Sequence, residues 1–111
     1  MDASRLILAA LAVVLAGEAS AGERCSALDG STLQCGRERV RVEGLRAPTL
    51  NEPGGADARA RLDRRIRQGE LVIDRQGRDK YGRTLGRIYV NGKRVTQLDV
   101  EPKPGRSSRR S

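Results

Sequence analysis

The sequence predicts a mostly-β domain with one main helix. Its elements run in the order of a five-stranded OB-type barrel, and the same string could also make an α+β sheet. Three observations carry this prediction. Short runs with strand character recur between Gly, Asn, Asp and Pro turn signals. A single stripe with helical spacing falls between the third and fourth of these runs. The apolar stock is thin and aliphatic, since the chain has no Phe, no Trp and only Tyr81 and Tyr89 as aromatic residues.

The elements follow in chain order. Arg5 precedes an apolar run from Leu6 to Ala16, and Ala19-Ser20-Ala21 then offers the small residues of a cleavage site. Eleven residues rise only about 16 Å as a helix, against a hydrocarbon core of about 30 Å. Residues 1–21 are therefore expected to be a secretory signal cut near Ala21, with no membrane span, and the protein to be secreted or periplasmic. Residues 22–100 would form the domain, and the Pro, Gly, Ser and Arg-rich residues 101–111 a disordered basic tail.

Export would place Cys25 and Cys35, the two cysteines of the chain, in an oxidising compartment where they read as a disulfide. Closing so short a loop stabilises by about 2–3 kcal/mol on chain-entropy grounds. Arg24 to Leu28 and Thr32 to Cys35 flank a hairpin turn. A three-residue loop, Asp29 to Ser31, would set Cys25 opposite Cys35, whereas a two-residue loop would set it opposite Gln34. The cysteines thus predict the longer loop.

The third strand, Arg39 to Leu45, turns Arg39, Arg41 and Glu43 to one face and Val40 and Val42 to the other, breaking at Gly44 and stopping at Pro48. Thr49 to Gly55 reads as a loop. From Ala56 to Gln68, Ala58, Leu62 and Ile66 recur every fourth residue, and Gly69 is expected to close the helix as its C′ residue. Leu71 to Ile73 reads as a strand, Arg75 to Gly82 as a polar loop, and Arg83 to Val90 as another strand. Asn91-Gly92 signals a type I′ turn. Thr96 to Val100 leaves room for at most one helical turn before Pro102.

Lys and Arg number 22 against 14 Asp and Glu, a formal net charge of +8. Without residues 1–21 the balance is 21 against 12, or +9. Such a surface suits polyanions: nucleic acid, phospholipid headgroups or acidic polysaccharide.

Asp29-Gly30-Ser31-Thr32, Arg39-Val40-Arg41-Val42-Glu43-Gly44-Leu45-Arg46-Ala47-Pro48 and Asp79-Lys80-Tyr81-Gly82-Arg83 resemble three motifs of the staphylococcal nuclease (thermonuclease) family: D-G-D-T, R-V-R-L-x-G-I-D-A-P-E and D-x-Y-G-R. The resemblance spans Cys25 to Val100 and implies the SNase-like OB-fold barrel, here with its C-terminal helices truncated. It also implies an ancestry of phosphodiester cleavage with one calcium ion, held by two aspartates, with a glutamate acting on the attacking water and two arginines clamping the phosphate. The arginines carry over as Arg41 and Arg83, and Tyr81 and Asp79 match as well. The carboxylates do not: Ser31, Arg46 and Thr49 stand in their places, raising the charge there by one, two and one. Calcium takes six to eight oxygens, largely from carboxylates, so neither metal nor cofactor is expected.

The implied protein is a catalytically degenerate nuclease-like domain. It would bind nucleic acid or another polyanion non-specifically through Arg41, Arg46 and Arg83, with Tyr81 beside them. One alternative is an active calcium-dependent nuclease that draws on Glu52 or Glu43 as a displaced base. Another is a periplasmic interaction module that binds nothing charged.

Overall fold

The computed structural model describes residues 22–102. The expected leader and residues 103–111 of the expected tail lie outside the described residues. Strands β1 (Ser26–Asp29), β2 (Thr32–Cys35) and β3 (Glu38–Val42) precede helix α1 (Gly55–Ile66). Strands β4 (Leu71–Arg78), β5 (Thr84–Val90) and β6 (Lys93–Arg94) follow it, and one helical turn, α2 (Gln97–Val100), comes last. The sheet runs β1-β2-β3-β5-β4, with β6 pairing beside β3 on β5. Only the β3–β5 pair is parallel, because α1 and β4 intervene between those strands. The ladder is open between β1 and β4, where the Glu23 N–H donates to the Leu71 carbonyl at 3.0 Å. This is the mostly-β domain with one main helix that the sequence predicts, in the partly open form of an OB-type barrel.

Alternation places the core. Along β5 every second residue from Thr84 to Val90 is buried, and Val40 and Val42 of β3 join Leu33, Leu45, Leu62 and Ile88 in full burial. Ala58, Leu62 and Ile66 are the stripe by which α1 packs on the sheet. Each fully buried Leu, Ile or Val contributes about 1.5–3 kcal/mol. With no Phe or Trp in the chain, the core is aliphatic, and Cys25 and Cys35 pack against it. Among the described residues no helix is long and apolar enough to cross a membrane.

Three local expectations are corrected. The β1–β2 loop has two residues, Gly30 and Ser31, because Asp29 pairs with Thr32. A bulge at Leu28 supplies the extra residue, shifting the register so that Ser26 faces Gln34. Cys25 and Cys35 are disulfide-bonded, with Cα atoms 4.2 Å apart. The second correction concerns β4, which continues to Arg78 through the stretch expected to be loop. Its polar second half is exposed on both faces and is held by pairing with β5, with a register shift between Arg75 and Gly77. Third, α1 ends at Ile66 with Arg67 as its cap. Gly69 serves close approach instead: a Cβ there would overlap the Asn91 side chain. The Asn91 Oδ1 accepts the Glu70 N–H at 2.8 Å.

One contact absent from any sequence pattern fixes the hairpin to the helix. Asp63 of α1 accepts the Ala27 N–H at 2.9 Å and the Arg67 Nε–H at 2.9 Å. Burial opposes ionisation of this carboxyl, yet the bonds from Arg67 and Ala27 outweigh it and hold its pKa below the usual range.

Candidate functional site

The site grows from the end of β3. Arg41 is held at the strand by its own guanidinium: Nη1 donates to the Val42 carbonyl at 2.7 Å and to the Ser31 carbonyl at 3.3 Å. Gly44, at φ 88°, turns the chain, and buried Leu45 anchors the loop that follows. Arg46 is then clasped through its backbone. Its N–H donates to Gln97 Oε1 at 2.7 Å and its carbonyl accepts Gln97 Nε2–H at 2.8 Å. The side-chain amide of α2 thus substitutes for a neighbouring strand and leaves the Arg46 guanidinium exposed. Two glycines bring the remaining parts close. A Cβ at Gly30 would collide with Ala47 and Ala58, and one at Gly55 would overlap the Thr49 carbonyl. The β1–β2 turn, the loop and the start of α1 therefore meet around Gly30, Ala47 and Ala58, with Thr49 against Gly55.

Arg83 is organised by a different set of bonds. Asp79 Oδ1 accepts the N–H groups of Tyr81 and Arg83, both at 2.9 Å, while Oδ2 accepts Arg83 Nε–H at 2.6 Å. Burial disfavours the ionised carboxyl, but the bonds from Arg83 and Tyr81 prevail and lower its pKa. With Nε held by Asp79, the two Nη groups of Arg83 are the donors left to grip an oxyanion. Tyr81 is 72 % exposed. Its ring lies 5.4 Å from Lys80 Nζ and 5.5 Å from Arg83 Cζ, centroid to atom.

These residues do not share one hollow. Arg41 and Arg46 line a concavity of about 360 Å³ together with Gln97 and Glu101. Arg83 and Tyr81 line a second, of about 510 Å³, with Arg37, Arg39 and Arg78. The three arginines grouped by the sequence reading are divided two and one, because Asp79 draws Arg83 towards the β4–β5 turn. Sequence reasoning missed Gln97 and Glu101, which reach the site from more than fifty residues away. A run of arginines at 37, 39 and 78 was the one signal that could have marked the second hollow.

The donor set decides whether calcium fits. Ser31 offers a hydroxyl that donates to Asp29 Oδ1 at 3.3 Å, Thr49 another hydroxyl, and Arg46 a cation. The carboxylates nearest in sequence are engaged. Asp29 Oδ1 also accepts the Ser31 N–H at 2.8 Å, and Glu52 Oε1 folds back onto the Thr49 N–H at 2.8 Å. Glu43 pairs with Arg87 at 3.3 Å. Among the described residues no three acidic, His or Cys side chains cluster as metal ligands. A dication placed here would meet hydroxyls and a guanidinium, so these residues do not fit it.

A family model described as staphylococcal nuclease homologue matches residues 39–101, from β3 through α2. The chain belongs to the staphylococcal nuclease family. An Escherichia coli protein named Protein ParB is 36% identical over 91 residues, covering 75% of this chain and 51% of its own. A Shigella flexneri protein named Micrococcal nuclease is 37% identical over 98 residues, covering 81% of this chain and 56% of its own. The chain thus spans about half the length of these relatives. Membership agrees with the fold: the parallel β3–β5 pair sets the strand of Arg41 beside the strand that Arg83 introduces.

Proposed function

We propose that this chain is a nuclease-family domain that grips phosphate-rich polyanions, nucleic acid first among them, and does not cut them. What carries this reading is the side chains at the family's positions. The phosphate-clamping arginines remain as Arg41 and Arg83, while Ser31, Arg46 and Thr49 occupy the places of the metal ligands and the catalytic carboxylate. Hydrolysis needs a metal-activated water or a carboxylate base within hydrogen-bond reach. Asp29, Glu43 and Glu52 are bound to other groups. Binding needs only outward guanidiniums, each offering paired N–H donors to a phosphate. The disulfide supports an oxidising, exported location.

A calcium-dependent enzyme with displaced ligands is the second reading. One observation favours it: Glu101 lines the Arg41 and Arg46 concavity and supplies a carboxylate there.

Fluorescence anisotropy with a short single-stranded oligonucleotide tests the proposal. Binding should weaken steeply with salt, by a slope of about 0.7 per phosphate contact, and weaken further in Arg41→Gln and Arg83→Gln. No binding at low salt contradicts it. Calcium-dependent product formation that Glu101→Gln abolishes would establish the second reading instead.

A further inference from the structure

The hollow that Arg83 and Tyr81 line extends beyond the family's phosphate clamp. It lies where the fold brings two remote turns together. Arg37 sits in the β2–β3 turn and Arg39 on β3 opposite Gln34. Arg78 ends β4 opposite Thr84, and Thr84 in turn faces Val40 across the parallel pair. Arg37, Arg39 and Arg78 are exposed, and among the described residues none of them has an acidic partner within salt-bridge distance.

The one carboxylate lining this hollow, Glu38, is already occupied. Arg75 holds it through Nε at 2.9 Å and Nη2 at 2.7 Å, and the Thr84 hydroxyl donates at 2.7 Å. Arg75 divides its charge between Glu38 and Glu23 and Arg83 is paired with Asp79, which leaves Arg37, Arg39 and Arg78 as the guanidiniums of the hollow without an ion-pair partner among the described residues. Like charges gathered at short range repel, and an oxyanion placed among them relieves that repulsion.

We propose that Arg37, Arg39 and Arg78 form a second phosphate subsite, which takes the backbone of a single-stranded polynucleotide at the end of β3 opposite to Arg41. The inference rests on the polyanion-binding reading and extends it to a second contact site and a direction along β3. Arg41 and Arg39 lie on the same face of β3, two residues or about 7 Å apart along the strand. The backbone therefore passes from one hollow to the next without leaving the sheet. Tyr81 selects the class. Its exposed ring stands at the rim of the hollow, where an unpaired base stacks and a duplex presents none.

The test compares the full chain with two triple variants of equal charge change, R37Q/R39Q/R78Q and, on α1, R59Q/R61Q/R64Q. Each is titrated with labelled oligothymidylate over a series of salt concentrations. The first triple should lose about 2 from the slope of log K against log salt, since a single strand contributes about 0.7 per phosphate contact. The α1 triple should keep the parent slope. Tyr81→Ala should weaken oligothymidylate and leave heparin, which has no bases, unchanged. If the parent chain binds nothing at low salt, the polyanion reading itself fails. If it binds and both triples behave alike, the subsite fails alone. Equal loss of heparin and oligothymidylate in Tyr81→Ala overturns the choice of polynucleotide. Should the first triple not fold, R37Q/R39Q and Arg78→Gln read separately must lose slopes in a ratio of about two to one.

Discussion

Substitution of Asp63 tests how the β1–β2 hairpin, and with it Ser31, is held to the helix. In Asp63→Ala the Ala27 N–H, on a residue only 5 % exposed, loses its acceptor. A hydrogen bond to a charged acceptor contributes about 1.5–3 kcal/mol. The accompanying ion pair adds little, because Arg67 is 62 % exposed and such surface pairs contribute about 0–1 kcal/mol. Alanine returns up to about 0.7 kcal/mol of helix propensity. The net loss is about 2 kcal/mol, or roughly 10–15 °C in Tm for a domain of this size. Arg67→Ala should cost under about 1 kcal/mol. Thermal unfolding followed by circular dichroism measures both. Because the folded pKa of Asp63 is lowered, its contribution is present above the unfolded carboxyl pKa and is lost as pH falls below it. The alanine variant should therefore show a flatter acid limb. An Asp63→Ala loss no larger than that of Arg67→Ala would refute the reasoning.

Three further outcomes follow from the same geometry. Cys25→Ser/Cys35→Ser should lower stability by about 2–3 kcal/mol, read as a fall in the urea midpoint with m unchanged or raised, because the uncross-linked unfolded chain is less compact; an unchanged midpoint contradicts the role given to the bridge. Hydrogen bonds from Arg75 and Thr84 bring the pKa of Glu38 down to about 2, so its stabilisation is full above pH 4.5 and fades as pH falls towards 2. Arg75→Gln should weaken that dependence in an acid titration, leaving the part that the Thr84 hydroxyl supplies. Ser31→Asp/Arg46→Asp/Thr49→Glu restores three carboxylates and should give a Tm that rises with calcium concentration, whereas the parent Tm stays flat. A calcium-dependent Tm in the parent would show that its present residues suffice for the ion.

Much of the fold was legible because its signals are local. The spacing of Ala58, Leu62 and Ile66, the alternation of β3 and the Asn91-Gly92 turn each follow from backbone periodicity or a positive φ, here 51° at Asn91 and 82° at Gly92. The hairpin loop was not legible, since the cysteines demand an extra residue without saying whether it enters as loop or bulge. The second half of β4 was hidden because it buries neither face and is a strand only through its ladder with β5. At the site, residue types were readable from motifs but grouping was not. Arg83 follows Asp79, a neighbour within its own turn, and so departs from Arg41 and Arg46. Gln97 and Glu101 enter from α2 and the residue just beyond it, by tertiary contact alone. Asp63 looks like an ordinary helix charge until β1, at the sheet edge, brings the Ala27 N–H to it.

The central claim is that the grip has outlived the chemistry. Its most direct test is prolonged incubation of the purified chain with end-labelled single-stranded DNA, in calcium and in chelator, with the products resolved on a sequencing gel. Intact substrate is expected in both, under salt conditions where anisotropy shows the DNA bound. Shortened products that require calcium and vanish in Arg83→Ala would contradict it.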